Sequence, residues 1–463
     1  MKGSCGQMRP KSLKEGACLV FWMMMIASLL VYTGCELGFG GDPVADDEED
    51  IEFAKEIERV SVTSGGSQAN GSSEAPCISS DGGIVAFISN ATNLVAGDTN
   101  NAADVFVRDL DTGITQRVSV ASAGTQANDD AFTLSLSADG LFVAFGSYAS
   151  NLVANDTNAK IDVFVHDRNT ATTERVSVTS LGAEADNESF SPAISSNGRF
   201  VAFQSDATNL VLLDTNNKCD IFVHDRITGT TERVSVASDG TQANGDSIAP
   251  AISSDGRFVA FSSEASNLVA GDTNNKADIF LHDRQDDTTE RIVGPAEFDT
   301  GSGIIIVSPA ISPDGGFLGF RSNANDLVTG DTNNRFDTFL VDSDTLVVER
   351  ISVSSSEVEG NADSSQPSIS SDNRYAVFSS LATNLVSQDT NGSEDVFVRD
   401  RDAGQTRRVS LAFDGSEGDN NSFSAVISAD GQFVAFTSFA ENLVANDTNG
   451  VSDIFVMPNP FLP

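Results

Sequence analysis

The triplet Asp-Thr-Asn occurs seven times in the sequence, beginning at Asp98, Asp156, Asp214, Asp272, Asp331, Asp389 and Asp447. Six residues after each of these stands a second Asp: Asp104, Asp162, Asp220, Asp278, Asp337, Asp395 and Asp453. With the intervening Asn100, Asn158, Asn216, Asn274, Asn333, Asn391 and Asn449, each copy offers two carboxylates and an amide on one short loop. Hard oxygen donors so close together suit calcium, with backbone carbonyls to complete the shell. Seven sites with a dissociation constant near ~0.1 mM would add about 10 kcal/mol of stability at ~1 mM calcium. The same residue types also cap backbone N–H groups in long loops. The spacing is not that of an EF-hand and lacks its closing Glu. A calcium-stabilised loop and a capped loop both stay open at this level; no other cofactor is expected.

Other chemistries find less support. His166, His224 and His282 are spaced 58 residues apart and so share one repeat position, which other copies fill with Arg108, Val341, Arg399 and Met457. A position that accepts Val and Met is not a ligand site, and these His are expected to be partly exposed strand residues. The sequence holds no Gly-x-Ser-x-Gly elbow, no Cys/His zinc pattern and no phosphate loop. No catalytic residue is assigned. The main break in the repeat is in residues 293–305, where Glu297, Phe298 and Asp299 replace the usual loop, and a specific site is sought there first.

The elements that must hold these loops are strands. In the third repeat, residues 191–195 form a short apolar stretch, Ser196-Asn197-Gly198 turns the chain, and residues 199–205 alternate as a strand does. After the Asp-Thr-Asn loop, residues 220–225 give a third strand, Ile227-Thr228-Gly229 turns again, and residues 231–237 give a fourth. Seven such meanders predict an all-β fold, a seven-bladed β-propeller of four-stranded blades. The seventh repeat stops after three strands, and residues 56–62 (EIERVSV) match residues 230–236 (TTERVSV) in pattern, so the N-terminal strand is expected to close the last blade. Two Phe recur in every unit, for example Phe203 and Phe222, and are expected to pack between blades. The Asp-Thr-Asn loop and the polar loop joining one blade to the next (Gln126 to Asp130, Asp186 to Glu188, Asn244 to Asp246) should share one face.

The turn Ser-x-Asp-Gly stands at Ser79, Ser137, Ser253, Ser312 and Ser428, with variants at Ser195 and Ser370. It resembles the TolB-type, WD-like β-propeller repeat, whose usual Pro in this turn is present only as Pro313. The resemblance covers residues 53–463 and implies the fold; it implies little about activity.

The chain has 67 acidic and 27 basic residues, a net charge of −40, which repels phosphate backbones and excludes a nucleic-acid partner. Lys2, Arg9, Lys11 and Lys14 precede an apolar run over residues 17–32, roughly 24 Å as a helix against the ~30 Å of a bilayer core. The run ends in Thr33-Gly34-Cys35, which resembles a bacterial lipobox with Cys35 as the lipidated residue. An ordinary cleaved signal and an uncleaved anchor are the alternatives, and all three export the body. Residues 1–34 are thus read as a lipoprotein-type signal peptide, 35–52 as an acidic tether and 53–463 as the propeller. Cys77 and Cys219 fall in different repeats, and no disulfide between them is expected. These features predict a monomeric, lipid-anchored envelope protein, in the periplasm or on the cell surface, that binds a protein or other envelope component without catalysis. A polysaccharide lyase or glycosidase and a surface adhesin are the alternatives. The first is disfavoured by the lack of Trp beyond Trp22, the second would be favoured by an exposed apolar patch.

Overall fold

Segments such as Phe142–Ser147 become strands because alternate side chains find an apolar neighbour on each face. The computed structural model describes residues 57–273, 276–293 and 305–462. The expected signal peptide, Cys35, the tether, Asn274 and the divergent residues 294–304 lie outside the described residues.

The described strands form seven four-stranded antiparallel sheets, each a meander whose strands neighbour one another in chain order. The last sheet is the exception that closes the ring: Glu58–Arg59 pairs with Asp453–Pro458 and supplies its fourth strand. The first strand of every blade touches the first strands of both neighbours, so these strands ring a common axis. The fold is a seven-bladed β-propeller closed by its N-terminal strand.

The recurrent Phe do the packing the repeat implies. Phe87 lies opposite Phe106 on adjacent strands, their ring centroids 5.9 Å apart. On that face of blade one they pack against Ala435, Ile454 and Val456 of blade seven. On the other face Val105 and Val107 meet Phe145 and Phe164 of blade two. All fourteen Phe are fully buried, each removing about 1.5–3 kcal/mol worth of apolar surface from water.

At one end of the ring the Ser-x-Asp-Gly turns follow a common plan. Ser79 Oγ donates to Asp81 Oδ1 (2.7 Å) and accepts from the Ile84 N–H (2.9 Å). Gly82 has φ +77°, and a Cβ there would overlap the ring of Phe433 in the preceding blade. In five of the turns the second residue donates its N–H to the next blade's turn: Ser80 to Ala138, Ala138 to Ser196, Ser196 to Ser254, Ser254 to Pro313 and Ser371 to Ala429, at 2.8–3.1 Å. Across the closure the third residue donates instead, Asp430 N–H to the Ser80 carbonyl. Pro313 has no N–H to give. At that junction the Asn373 amide donates to Asp314 Oδ2 instead (3.2 Å).

The outer edge of a blade is covered too. Thr115 in the fourth strand of blade one donates its N–H to Ser64 Oγ and its hydroxyl to the Val62 carbonyl, in a hairpin contributed by the chain entering that blade. The same pair recurs at Thr173 with Ser122 and at Thr231 with Ser180, which blunts edges that could template aggregation. Cys77 is a free thiol, pushed up to about 12 by burial, and is therefore not bonded to Cys219.

Candidate functional site

The Asp-Thr-Asn loops sit at the end of the ring opposite the Ser-x-Asp-Gly turns, and they meet the blade-to-blade loops there. Asn100 Nδ2 donates to the Ala127 carbonyl (3.0 Å), and the Ala103 N–H donates to Asp130 Oδ1 (2.8 Å). The expected shared face is present.

Within blade one, Asp104 opens the third strand and is fully buried. Its Oδ1 accepts from Ser119 Oγ at 2.5 Å. Its Oδ2 accepts from Asn100 Nδ2 at 3.0 Å and from Arg117 Nη1 at 3.2 Å. The same Arg117 nitrogen lies 3.1 Å from Asp98 Oδ1. One guanidinium therefore sits between the two carboxylates of the motif. Asn100 Oδ1 accepts from the Ala102 N–H, which is the local capping the sequence suggested.

The arrangement recurs in every blade. Arg175 joins Asp156 and Asp162; Arg233 joins Asp214 and Asp220; Arg291 joins Asp272 and Asp278. Arg350 joins Asp331 and Asp337; Arg408 joins Asp389 and Asp395; Arg59 joins Asp447 and Asp453 across the closure. Asn158, Asn216, Asn333, Asn391 and Asn449 each donate to the second Asp at 2.8–3.1 Å, as Asn100 does. The hydroxyl partner is Ser61, Ser119, Ser177, Ser235, Ser352 or Ser410, while blade four carries Val293 in its place.

Blades two, five and six add a third acid. Glu184, Glu359 and Glu417 each lie 2.8–3.0 Å from the Arg. Asp156 is pushed up to about 6 by burial, with the nearby charges of Asp162 and Glu184 adding to the effect against Arg175. Asp337 and Asp389 likewise stand at about 6, burial again being the main cause. Glu417 goes the other way. Its partial burial is outweighed by hydrogen bonds from Thr390 and Arg408, which hold it at about 2.

Calcium requires six to eight oxygens at 2.3–2.6 Å. Here the space between the two carboxylates is taken by a guanidinium nitrogen, so a cation could reach both only after the Arg left. As folded, the donor set fits guanidinium and does not fit calcium. Among the described residues no three His, Cys, Asp or Glu side chains converge in a way that would hold a metal ion.

The three His are not partly exposed, as the sequence reading had them. His166, His224 and His282 are buried because the third strand is covered on both faces by neighbouring blades, and Arg108, Val341, Arg399 and Met457 are buried at the same position. Each ring Nδ1 lies 2.8–2.9 Å from a Thr hydroxyl, and burial lowers all three pKa values, that of His166 to about 4. They are neutral and structural.

Two functional features escaped the sequence reading. The seven Arg are visible in the sequence only as part of a strand pattern, although six of them recur 13 residues after their third-strand Asp and the seventh, Arg59, comes from the N-terminal strand that closes the last blade. Arg321 is the other. It replaces the uncharged residues Ile88, Gly146, Gln204, Ser262, Ser379 and Thr437 of the other second strands, stacks on Phe336 at 4.5 Å, and lies in the field of Asp363 and Glu394.

No protein-family model and no curated protein matches the sequence. Similar solved structures include TolB from Acinetobacter baumannii, at 15% identity and TM-score 0.41 over 71% of this chain. That match spans 63% of the TolB chain, less than two thirds of its length. They also include an oligogalacturonate lyase in complex with manganese, at 14% identity and TM-score 0.52, over 89% of this chain and 97% of that one. A third is the β-propeller domain of the Trilobed protease from Pyrococcus furiosus, at 12% identity and TM-score 0.50, over 83% and 95% of the two chains. At such identities the likeness establishes the fold alone, and the fold that this chain shares with them is the β-propeller.

Proposed function

We propose that the protein is an exported propeller, lipid-anchored through Cys35 in the cell envelope, that serves as a non-enzymatic platform for a protein or other envelope component. The observation that carries this reading is the fate of the Asp-Thr-Asn chemistry. Its carboxylates are spent on buried ion pairs within each blade, which stiffens the loops of one whole face in advance of binding. A face ordered beforehand loses less conformational entropy when a partner docks. The net charge of −40 favours a basic partner and disfavours nucleic acid. Calcium would add to stability only through clusters that had released their Arg.

The test is recovery of a saturable partner from envelope extract on immobilised residues 36–463, followed by its identification and a binding isotherm with purified material. Only low-affinity, salt-sensitive retention of many proteins would sink the platform reading. Cys35→Ser should move the protein from the membrane to the soluble fraction.

A second reading, a propeller enzyme acting on a polysaccharide, has Arg321 in its favour: a non-repeated cation among acids, with an oligogalacturonate lyase among the structures that share the fold. Formation of unsaturated uronate from polygalacturonate by the full chain, lost in Arg321→Ala, would establish it in place of the platform.

A further inference from the structure

The third blade carries a feature that no other blade has. The loop leading into Asp-Thr-Asn reads Leu212-Leu213 there, where the other six blades hold Ala96-Gly97, Ala154-Asn155, Ala270-Gly271, Thr329-Gly330, Ser387-Gln388 and Ala445-Asn446. The hairpin before it presents Leu181, where other blades place Gly65, Ala123, Asp239, Ser356 and Asp414. These leucines are 97% (Leu181), 95% (Leu212) and 82% (Leu213) exposed. Leu213 also sits at φ +62°, the left-handed conformation that its counterparts mostly meet with Gly or Asn. A branched residue there is costly to the fold, and nothing in the fold is gained from it.

The register of the repeat places the three around one hollow. In blade one their counterparts Gly65, Ala96 and Gly97 line a single shallow hollow together with Ser64, Thr92 and Thr115. The hydrogen bonds that shape the hollow recur in blade three: Ser64 Oγ to the Thr115 carbonyl at 3.5 Å becomes Ser180 Oγ to the Thr231 carbonyl at 3.3 Å. Blade one is open at this place; blade three is studded with leucine. Asp186, itself exposed, accepts from both the N–H and the hydroxyl of Thr208, the counterpart of Thr92. An acid thus borders the apolar patch.

We propose that Leu181, Leu212 and Leu213 form a docking patch for a protein segment that presents apolar side chains flanked by Lys or Arg. Charge selects this occupant. A second copy of the chain would bring another net charge of −40 against the first, and an anionic bilayer would be repelled likewise. A basic, apolar segment buries the leucines and neutralises the border. The proposal rests on the platform reading only in requiring a macromolecular partner.

A synthetic amphipathic Leu/Lys helix is the probe, with a Ser/Lys peptide of equal charge and a Leu/Glu peptide as controls. The triple variant Leu181→Ser, Leu212→Ala, Leu213→Gly installs residues that other blades already hold, so it should fold, with a melting midpoint equal to or above that of the unaltered protein. The Leu/Lys peptide should bind the unaltered protein at least roughly tenfold more tightly than it binds the triple variant, and more tightly than either control binds. Equal affinity for both proteins would overturn the patch and leave a non-specific acidic surface. Dimerisation of the unaltered protein that the triple variant lacks would overturn the basic partner in favour of a second copy. Neither outcome touches the platform reading, which fails only by the partner-recovery and turnover assays given for it.

Discussion

Blades one, three and seven pair their Arg with two Asp and hold Gln126, Gln242 and Gln68 at a position that blades two, five and six fill with Glu184, Glu359 and Glu417; Gln242 accepts from Arg233 at 3.3 Å. In the Gln blades the Arg lies 2.9–3.1 Å from the first Asp of the motif. In the Glu blades it is drawn toward the Glu and stands 3.6 Å from that Asp. One positive charge is shared by three acids, and in each Glu blade one Asp rises to about 6. In blades two and six the charge of the added Glu helps raise the first Asp; in blade five burial of the second Asp, Asp337, with the charge of Asp331, raises it without the Glu. The Glu blades thus carry carboxyls that titrate near neutral pH, as does Asp206 of blade three, raised to about 6 by burial and by the charges of Asp246 and Glu188.

The sharpest way to break that contrast is to remove the Arg. Arg117→Ala and Arg408→Ala each strand buried carboxylates and should cost about 3–5 kcal/mol, as the loss of one partner from a buried ion pair does. The loss should be larger for Arg408, which faces three acids. Denaturant unfolding followed by circular dichroism measures both, since the described body has no Trp. Equal losses would mean that Glu417 is held by solvent and not by the cluster.

Acid should separate the two kinds of blade next. A carboxyl raised from 3.8 to about 6 on folding contributes stability that is fully present below about 3.8 and is lost as pH rises through about 6. The melting midpoint should therefore climb as pH is lowered from 7.5 to 5.5. Glu417, held at about 2, stays ionised in this window, and its own contribution is lost only at lower pH. The double variant Glu184→Gln, Glu417→Gln removes the added charge beside Asp156 and Asp389 and should lessen the climb, leaving the part that burial of Asp337 and Asp206 contributes. A climb of undiminished slope would place the titration elsewhere.

Calcium gives the smallest expected effect. Melting curves in EDTA and in ~2 mM calcium should coincide for the unaltered protein, because every cluster already holds its guanidinium. In Arg408→Gln the three freed carboxylates should make the midpoint rise with calcium. A large calcium shift in the unaltered protein would show that the Arg gives way.

The architecture was open to reading because the repeat is strict. The seven motifs, the paired Phe and the match of residues 56–62 to residues 230–236 specify blade number, core and closure. The candidate site was only half open. Asp and Asn announce oxygen donors, but nothing local tells whether those donors meet a metal or a cation of the chain itself. That depends on Arg117 and its counterparts reaching back from the next strand, 13 residues downstream in six blades and from the other end of the chain, as Arg59, in the seventh. The His were misjudged for a related reason. Alternation along one strand marks faces, yet in a propeller both faces of the third strand are covered, and so His166 is buried where a lone sheet would expose it.

The turn-to-turn hydrogen bonds at the Ser-x-Asp-Gly end work as a hoop. Each donor points to the following blade, so the bonds pull the ring together against any force that would splay it. A hoop with one missing link yields at that link. The link is missing at Pro313, where a side-chain amide from Asn373 is the substitute. Thermal breathing, or a wedge driven in from the Asp-Thr-Asn end, should thus open the ring first between blades five and six, a seam placed by a single ring nitrogen that has no hydrogen.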